Sequence, residues 1–120
     1  MIIDDSVVEA FNKRVNVDPN NIKTMTPSQL DRVKEVGTQA ENLLRNRDFA
    51  YFVHMFKFDR TDVLGEIAQH SADANAERIA IGNQLAGIDE FIKSLKRAVY
   101  YKNRVVTQQA GQVAAQEPIA

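Results

Sequence analysis

The stretch that decides the fold is residues 81–99, IGNQLAGIDEFIKSLKRAV. Ile81, Leu85, Ile88, Ile92, Leu95 and Val99 recur at spacings of 4, 3, 4, 3 and 4. That pattern holds one apolar seam on one side of an α-helix over nearly three heptads. A polar break falls at His70-Ser71-Ala72-Asp73, and no proline follows it before Arg104. The spacing therefore predicts a helix over 73–104, about 45–50 Å long at 1.5 Å per residue.

The segment before the break is apolar on more than one side. Phe49, Phe52, Phe56, Val63 and Ile67 lie on one helical stripe, and Tyr51, Met55 and Phe58 on a second, about 100° away. A run rich in Phe, Tyr and Val also suits a strand. Its alternation is poor, however, and residues 62–69 carry a helical pattern, so a helix over 48–69 with Asp48 as its cap is the favoured reading. His54 stands beside the aromatic stripes with Lys57 and is read as a hydrogen-bonded boundary residue. Upstream, Thr26-Pro27-Ser28-Gln29 places Thr at an N-cap, Pro at the first helical position and Gln three residues after the cap. Leu30, Val33, Val36, Ala40, Leu43 and Leu44 follow at helical spacing, giving an amphipathic helix over 27–46. Gly37 weakens that helix by about 1 kcal/mol relative to Ala.

Both ends differ from this middle. Residues 1–25 read as an arm: Asp5-Ser6 caps a short helix with Val8, Phe11 and Val15 on one face, and Asp18-Pro19-Asn20-Asn21 is a turn. Residues 107–120 are rich in Gln and Ala, contain Pro118, and read as a flexible tail. The expectation is an all-α protein, an antiparallel hairpin of helices 48–69 and 73–104 preceded by helix 27–46. Its divisions are an arm at 1–25, a hairpin domain at 26–106 and a tail at 107–120.

Composition narrows the function classes. The 120 residues include 15 Lys+Arg and 16 Asp+Glu, for a net charge of −1, which excludes a generally basic nucleic-acid coat. Without cysteine there is no disulfide and no thiolate chemistry. No apolar run approaches the roughly 18 residues that span a bilayer. The start MIIDDSVVEAF carries Asp4 and Asp5 where a secretion signal needs positive charge, so export by a signal peptide is not expected.

Catalytic patterns fail one by one. None of Ser6, Ser28, Ser71 or Ser94 sits in a G-x-S-x-G frame. Gly82 and Gly87 begin like a phosphate loop, but Ile88-Asp89 stands where Lys-Ser/Thr is required. Gly82 and Ala86 instead suggest close helix packing. Glu66 and His70, four apart and near Asp59 and Asp62, lack the further converging ligand that a metal needs. Asp89 and Glu90 are adjacent and diverge on a helix, so they are no acid–base pair. No enzyme activity, cofactor, metal or small-molecule substrate is expected.

Lys93, Lys96, Arg97, Lys102 and Arg104 give five cations between residues 91 and 106 with no acid among them, and Tyr100 and Tyr101 share the stretch. A phosphate-contacting patch is one reading. Cations complementing a helix C-terminus is the simpler one.

Residues 36–106 carry Ala40, Leu43-Leu44, Asn46 and Phe49, then a polar break with Glu77-Arg78, then Leu85-Ala86-Gly87-Ile88-Asp89-Glu90-Phe91-Ile92. This order resembles the short helical-hairpin proteins of tailed bacteriophages encoded near head and packaging genes, with the frame A-x-x-L-L-x-N-x-x-F, a break, and L-x-x-[LI]-D. The arm is additional here, and the Trp frequent before the break is absent. The resemblance implies a virion or assembly role, in the virion or host cytoplasm, and no catalytic residues. Two long helices and one shorter one cannot hide both aromatic stripes. A homo-oligomer that also meets other structural proteins is therefore expected, using Phe49, Tyr51, Phe52, Met55, Phe56, Phe58, Ile81, Leu85, Ile88, Ile92, Leu95 and Val99. The alternative is a DNA-binding packaging accessory working through Lys93, Lys96, Arg97, Lys102 and Arg104.

Overall fold

Residue by residue, the break at Asn46 shows why two helices form where one long one would be continuous. In the computed structural model, Asn46 has extended backbone (φ −74°, ψ 122°), and its amide donates to the Leu43 carbonyl, ending one helix. Its side-chain oxygen accepts from the Phe49 amide at 2.8 Å and starts the next. Asn46, rather than Asp48, is thus the cap. The structure describes residues 5–18 and 20–116, with side chains to 112. Four α-helices result: α1 (Asp5–Asn12), α2 (Pro27–Arg45), α3 (Arg47–Glu66) and α4 (Ala72–Gln116), with a 3-10 turn at Ile22–Thr24. No strand occurs among the described residues, so the aromatic run at 49–58 is helical.

The caps read from sequence at α2 are present. Thr26 Oγ1 accepts from the Gln29 amide at 3.2 Å, and Gln29 Oε1 accepts from the Thr26 amide at 3.0 Å. Ser71 Oγ accepts from the Ala74 amide and opens α4. α3 ends three residues short of the expected 69, because Ile67 turns extended. The Arg78 guanidinium donates to the carbonyls of Ile67 and Gln69, holding that connection in place.

α2 and α3 run end to end along the single helix α4, antiparallel to it. The register is visible in the contacts: Lys34 meets Gln109, Glu41 meets Lys102, Lys57 meets Asp89, and Arg78 holds Ile67. The hairpin's first leg is therefore α2 plus α3, and its second is α4. Along α4, Ala74, Arg78, Ile81, Leu85, Ile88, Ile92, Leu95, Val99 and Lys102 are all buried or half-buried, extending the predicted seam at both ends. The molecule measures 74 × 34 × 28 Å with a radius of gyration of 20.4 Å. A compact chain of this length would have about 14 Å.

Of three further expectations, two are corrected and one is met. First, α4 does not stop at 104 with a flexible tail from 107. It continues through Gln116, since residues 105–116 contain no proline and Gln and Ala are good helix formers. Val105 is wholly buried and Gln109 accepts from Lys34 Nζ at 2.9 Å, so this part of the tail belongs to the hairpin. The end of the tail, 117–120, lies outside the described residues, as do Pro19 and residues 1–4.

Second, the turn expected after α1 forms. The Asn20 amide donates to Asp18 Oδ1 at 2.9 Å and the Asn21 amide to the Asp18 carbonyl at 2.8 Å, folding the turn. Ile22 (3% exposed) then packs with Val33 of α2 and Val105 of α4 as the buried cluster of the molecule. Val15, Val17, Met25, Leu30 and Tyr101 surround it. α1 itself is exposed throughout, including Val8 and Phe11.

Third, the close helix approach occurs at Gly37 and not at Gly82. A Cβ on Gly37 would overlap Lys102 Cβ and stand 2.8 Å from the Ala98 carbonyl oxygen, whereas a Cβ on Gly82 would meet nothing within 4 Å.

Candidate interaction surfaces

The hairpin divides the residues assigned to an interface. Ile81 is buried, and Leu85, Ile88, Ile92, Leu95 and Val99 are half-buried under α2 and α3, so the heptad seam closes within the chain. α2 and α3 lie along this seam and leave its five half-buried residues only partly open to solvent. Phe49 also faces inward, its ring edge-on to Phe91 at 6.2 Å. On α3 the half-buried positions are Phe49, Ala50, Val53, Lys57, Arg60, Val63 and Leu64, with Ile67 following at the C-cap.

Tyr51, Phe52, Met55, Phe56 and Phe58 lie on the other side and stay exposed. Phe52 is 70% exposed, Phe58 63% and Tyr51 57%. Two ring pairs form on this face: Tyr51 and Phe52 are edge-on at 5.3 Å, and the His54 ring stacks against Phe58 at 6.0 Å. His54 is thus an exposed member of the aromatic face, where a hydrogen-bonded boundary residue was expected. An aromatic side chain carries about 150–250 Å² of surface. Five large groups at roughly half exposure leave on the order of 500 Å² open in one patch, at the upper end for a soluble monomer. Further along the same side, by helical spacing, stand Asp59, Asp62 and Glu66. Asp59 pairs with Arg60 at 2.7 Å, while Asp62 and Glu66 make no ion pair among the described residues.

The basic stretch of α4 is also divided. Lys102 Nζ lies 3.0 Å from Glu41 Oε2 across the helix interface, with both side chains mostly covered. Lys93 pairs with Glu90 at 3.3 Å on the surface. Lys96, Arg97 and Arg104 are exposed and form no ion pair among the described residues. At 3.6 residues per turn, Lys93, Arg97, Tyr100 and Arg104 fall within about 60° on the outer side, and Lys102 falls opposite. Position on the helix, not the count of cations, decides which of them meet solvent.

The Glu41–Lys102 contact has a measurable consequence. The hydrogen bond from Lys102, joined by the charges of Arg45 and Lys102, holds the Glu41 carboxyl below its ordinary value of 4.5. A carboxylate depressed on folding supports the fold above its unfolded pKa and loses that support as pH falls through the folded one. Glu41 should therefore titrate below 4.5 by NMR in the wild type and return towards 4.5 in Lys102→Met. The variant's stability should also change less between about pH 5 and about pH 3. Unchanged titration would mean that Lys102 is not held on Glu41 in solution. Asp89 is lowered in the same way, chiefly by the hydrogen bond from Lys57 at 2.8 Å.

Among the described residues, no group of three or more metal-binding side chains converges. Glu66 ends α3 and His70 lies beyond it, so their helical four-residue spacing is not realised. No helix of the described residues is long and apolar enough to cross a membrane. No protein-family model, curated protein or solved structure matches the chain.

Proposed function

We propose that this protein is a non-enzymatic assembly component that works by associating with copies of itself. The observation that carries the reading is the uncovered aromatic face of α3: Tyr51, Phe52, Met55, Phe56 and Phe58 stand exposed on a helix whose opposite side is half-buried. Exposing a patch of that size is costly in water, and association removes it. The resemblance of residues 36–106 to helical-hairpin proteins of tailed bacteriophages supports a virion or head-assembly setting.

DNA binding through α4 has less support. With Lys102 held on Glu41 and Lys93 beside Glu90, three unpaired cations remain. Three phosphate contacts would give a log–log salt slope of only about −2.7.

Size exclusion coupled to light scattering tests the reading. The wild-type chain should run as a discrete oligomer at micromolar concentration. Phe52→Ser with Phe56→Ser should run as a monomer with unchanged helical circular dichroism, since both side chains are exposed and their loss empties no core. A wild-type monomer across the concentration range would overturn the proposal.

A further inference from the structure

The two unsatisfied surfaces of this molecule are unlike one another. A groove of about 380 Å³ runs between the arm, α2 and α4. Its apolar part is formed by Val15, Val17, Val33, Val36 and Ala98. Around it stand three guanidinium groups, Arg14, Arg32 and Arg97, with Glu35 as the one acid. Arg14 lies 4.0 Å over the Phe11 ring and donates to the Phe11 carbonyl, and Arg32 donates to the Lys13 carbonyl. None of the three arginines forms an ion pair among the described residues. The groove is therefore apolar inside and carries a surplus of positive charge at its edge.

The exposed side of α3 is its complement. Phe52, Met55 and Phe56 are followed at helical spacing by Asp59, Asp62 and Glu66, two of them without a cation. The segregation extends along the chain. Residues 47–92 contain eight acidic and four basic residues, and the remainder contains eight acidic and eleven basic.

We infer that copies join head to tail, the aromatic and acidic side of α3 on one copy seating in the arginine-edged groove of the next. The inference rests on the self-association proposed above and names its second surface. A parallel face-to-face pairing of two α3 helices would cover the aromatics but set the carboxylates of both copies side by side, which like-charge repulsion disfavours. A groove-to-face contact covers the same aromatics and sets each carboxylate near a guanidinium, the group best shaped to hold one. Such a contact is heterologous, so a joined pair keeps one free face on one copy and one free groove on the other, and growth continues into a ring or filament.

Mixing two variants tests it. The face variant is Phe52→Ser with Phe56→Ser. The groove variant is Arg97→Glu, at an exposed residue that anchors no backbone contact. Each variant alone should assemble at least roughly tenfold more weakly than wild type at low salt. An equimolar mixture should give one-to-one heterodimers and nothing larger, because one intact face then meets one intact groove. If Arg97→Glu assembles like wild type, or if mixing rescues nothing, the head-to-tail contact is overturned while self-association stands. A wild-type monomer overturns both.

Discussion

Replacing Ile22 with alanine is expected to lower the unfolding free energy by about 2–5 kcal/mol. Ile22 is 3% exposed and packs on Val33 and on Val105, which is wholly buried. Truncation removes buried methyl and methylene groups and leaves a cavity between helices that are held apart by their own packing. Few other residues compensate: the buried hydrophobics among the described residues are Ile22, Val33, Ala40, Ala74, Ile81 and Val105. Against a total stability of about 5–15 kcal/mol, typical of domains, the loss is large. Urea unfolding followed by circular dichroism would measure it. Trypsin cleavage at Lys13, Arg14 or Lys23 should accelerate as the arm comes away. Val8→Ala, on the exposed helix α1, should stay within about 0.5 kcal/mol of wild type. An Ile22→Ala loss below about 1 kcal/mol would show that the arm is not part of the folded unit.

Gly37→Ala is expected to destabilise by about 1–3 kcal/mol, against the direction that helix propensity predicts. Propensity alone favours Ala over Gly in a helix interior by about 1 kcal/mol. At Gly37, however, the added methyl would collide with Lys102 Cβ and the Ala98 carbonyl. Neither is the movable end of a side chain, so α2 and α4 would have to separate, disturbing the nearby Glu41–Lys102 contact. Gly82→Ala supplies the opposite case, since a Cβ there meets nothing within 4 Å. It should raise stability by up to about 1 kcal/mol. Thermal melts of both variants decide the matter through the sign of the difference. Stabilisation by Gly37→Ala would mean that the helices do not approach so closely in solution.

Much of the architecture was legible because helices leave local marks. The capping box at Thr26–Gln29 and the 4-3 spacing from Ile81 to Val99 depend only on near neighbours, and both appear where the spacing puts them. An acid suits a first turn, which points to Asp48 as the cap of α3, yet Asn46 performs that role. Its side chain reaches the Phe49 amide, three residues on. The Gln- and Ala-rich end was misread because composition alone does not distinguish a disordered tail from a helix that has something to lie against. Val105 and Gln109 find α2 and the arm there.

The candidate surfaces were legible in kind but not in membership. Amphipathic counting identified an apolar excess on residues 49–58, and Tyr51, Phe52, Met55, Phe56 and Phe58 carry it. The same counting could not separate the α4 seam, which closes inside the chain, from the aromatic face, which does not. Arg14 and Arg32 gave no signal, lying far in sequence from Arg97 and within no motif; the arm's return across α2 and α4 brings the three together.

An all-helical chain, its breaks and the apolar side of each helix follow from local order alone, because hydrogen bonding and side-chain periodicity act over four residues or fewer. Tertiary structure decided which apolar side is covered, which cation is paired and which glycine is indispensable. Those outcomes depend on what lies opposite: α2 opposite Lys102 and Ala98, the arm opposite Val105, and open solvent over most of Phe52.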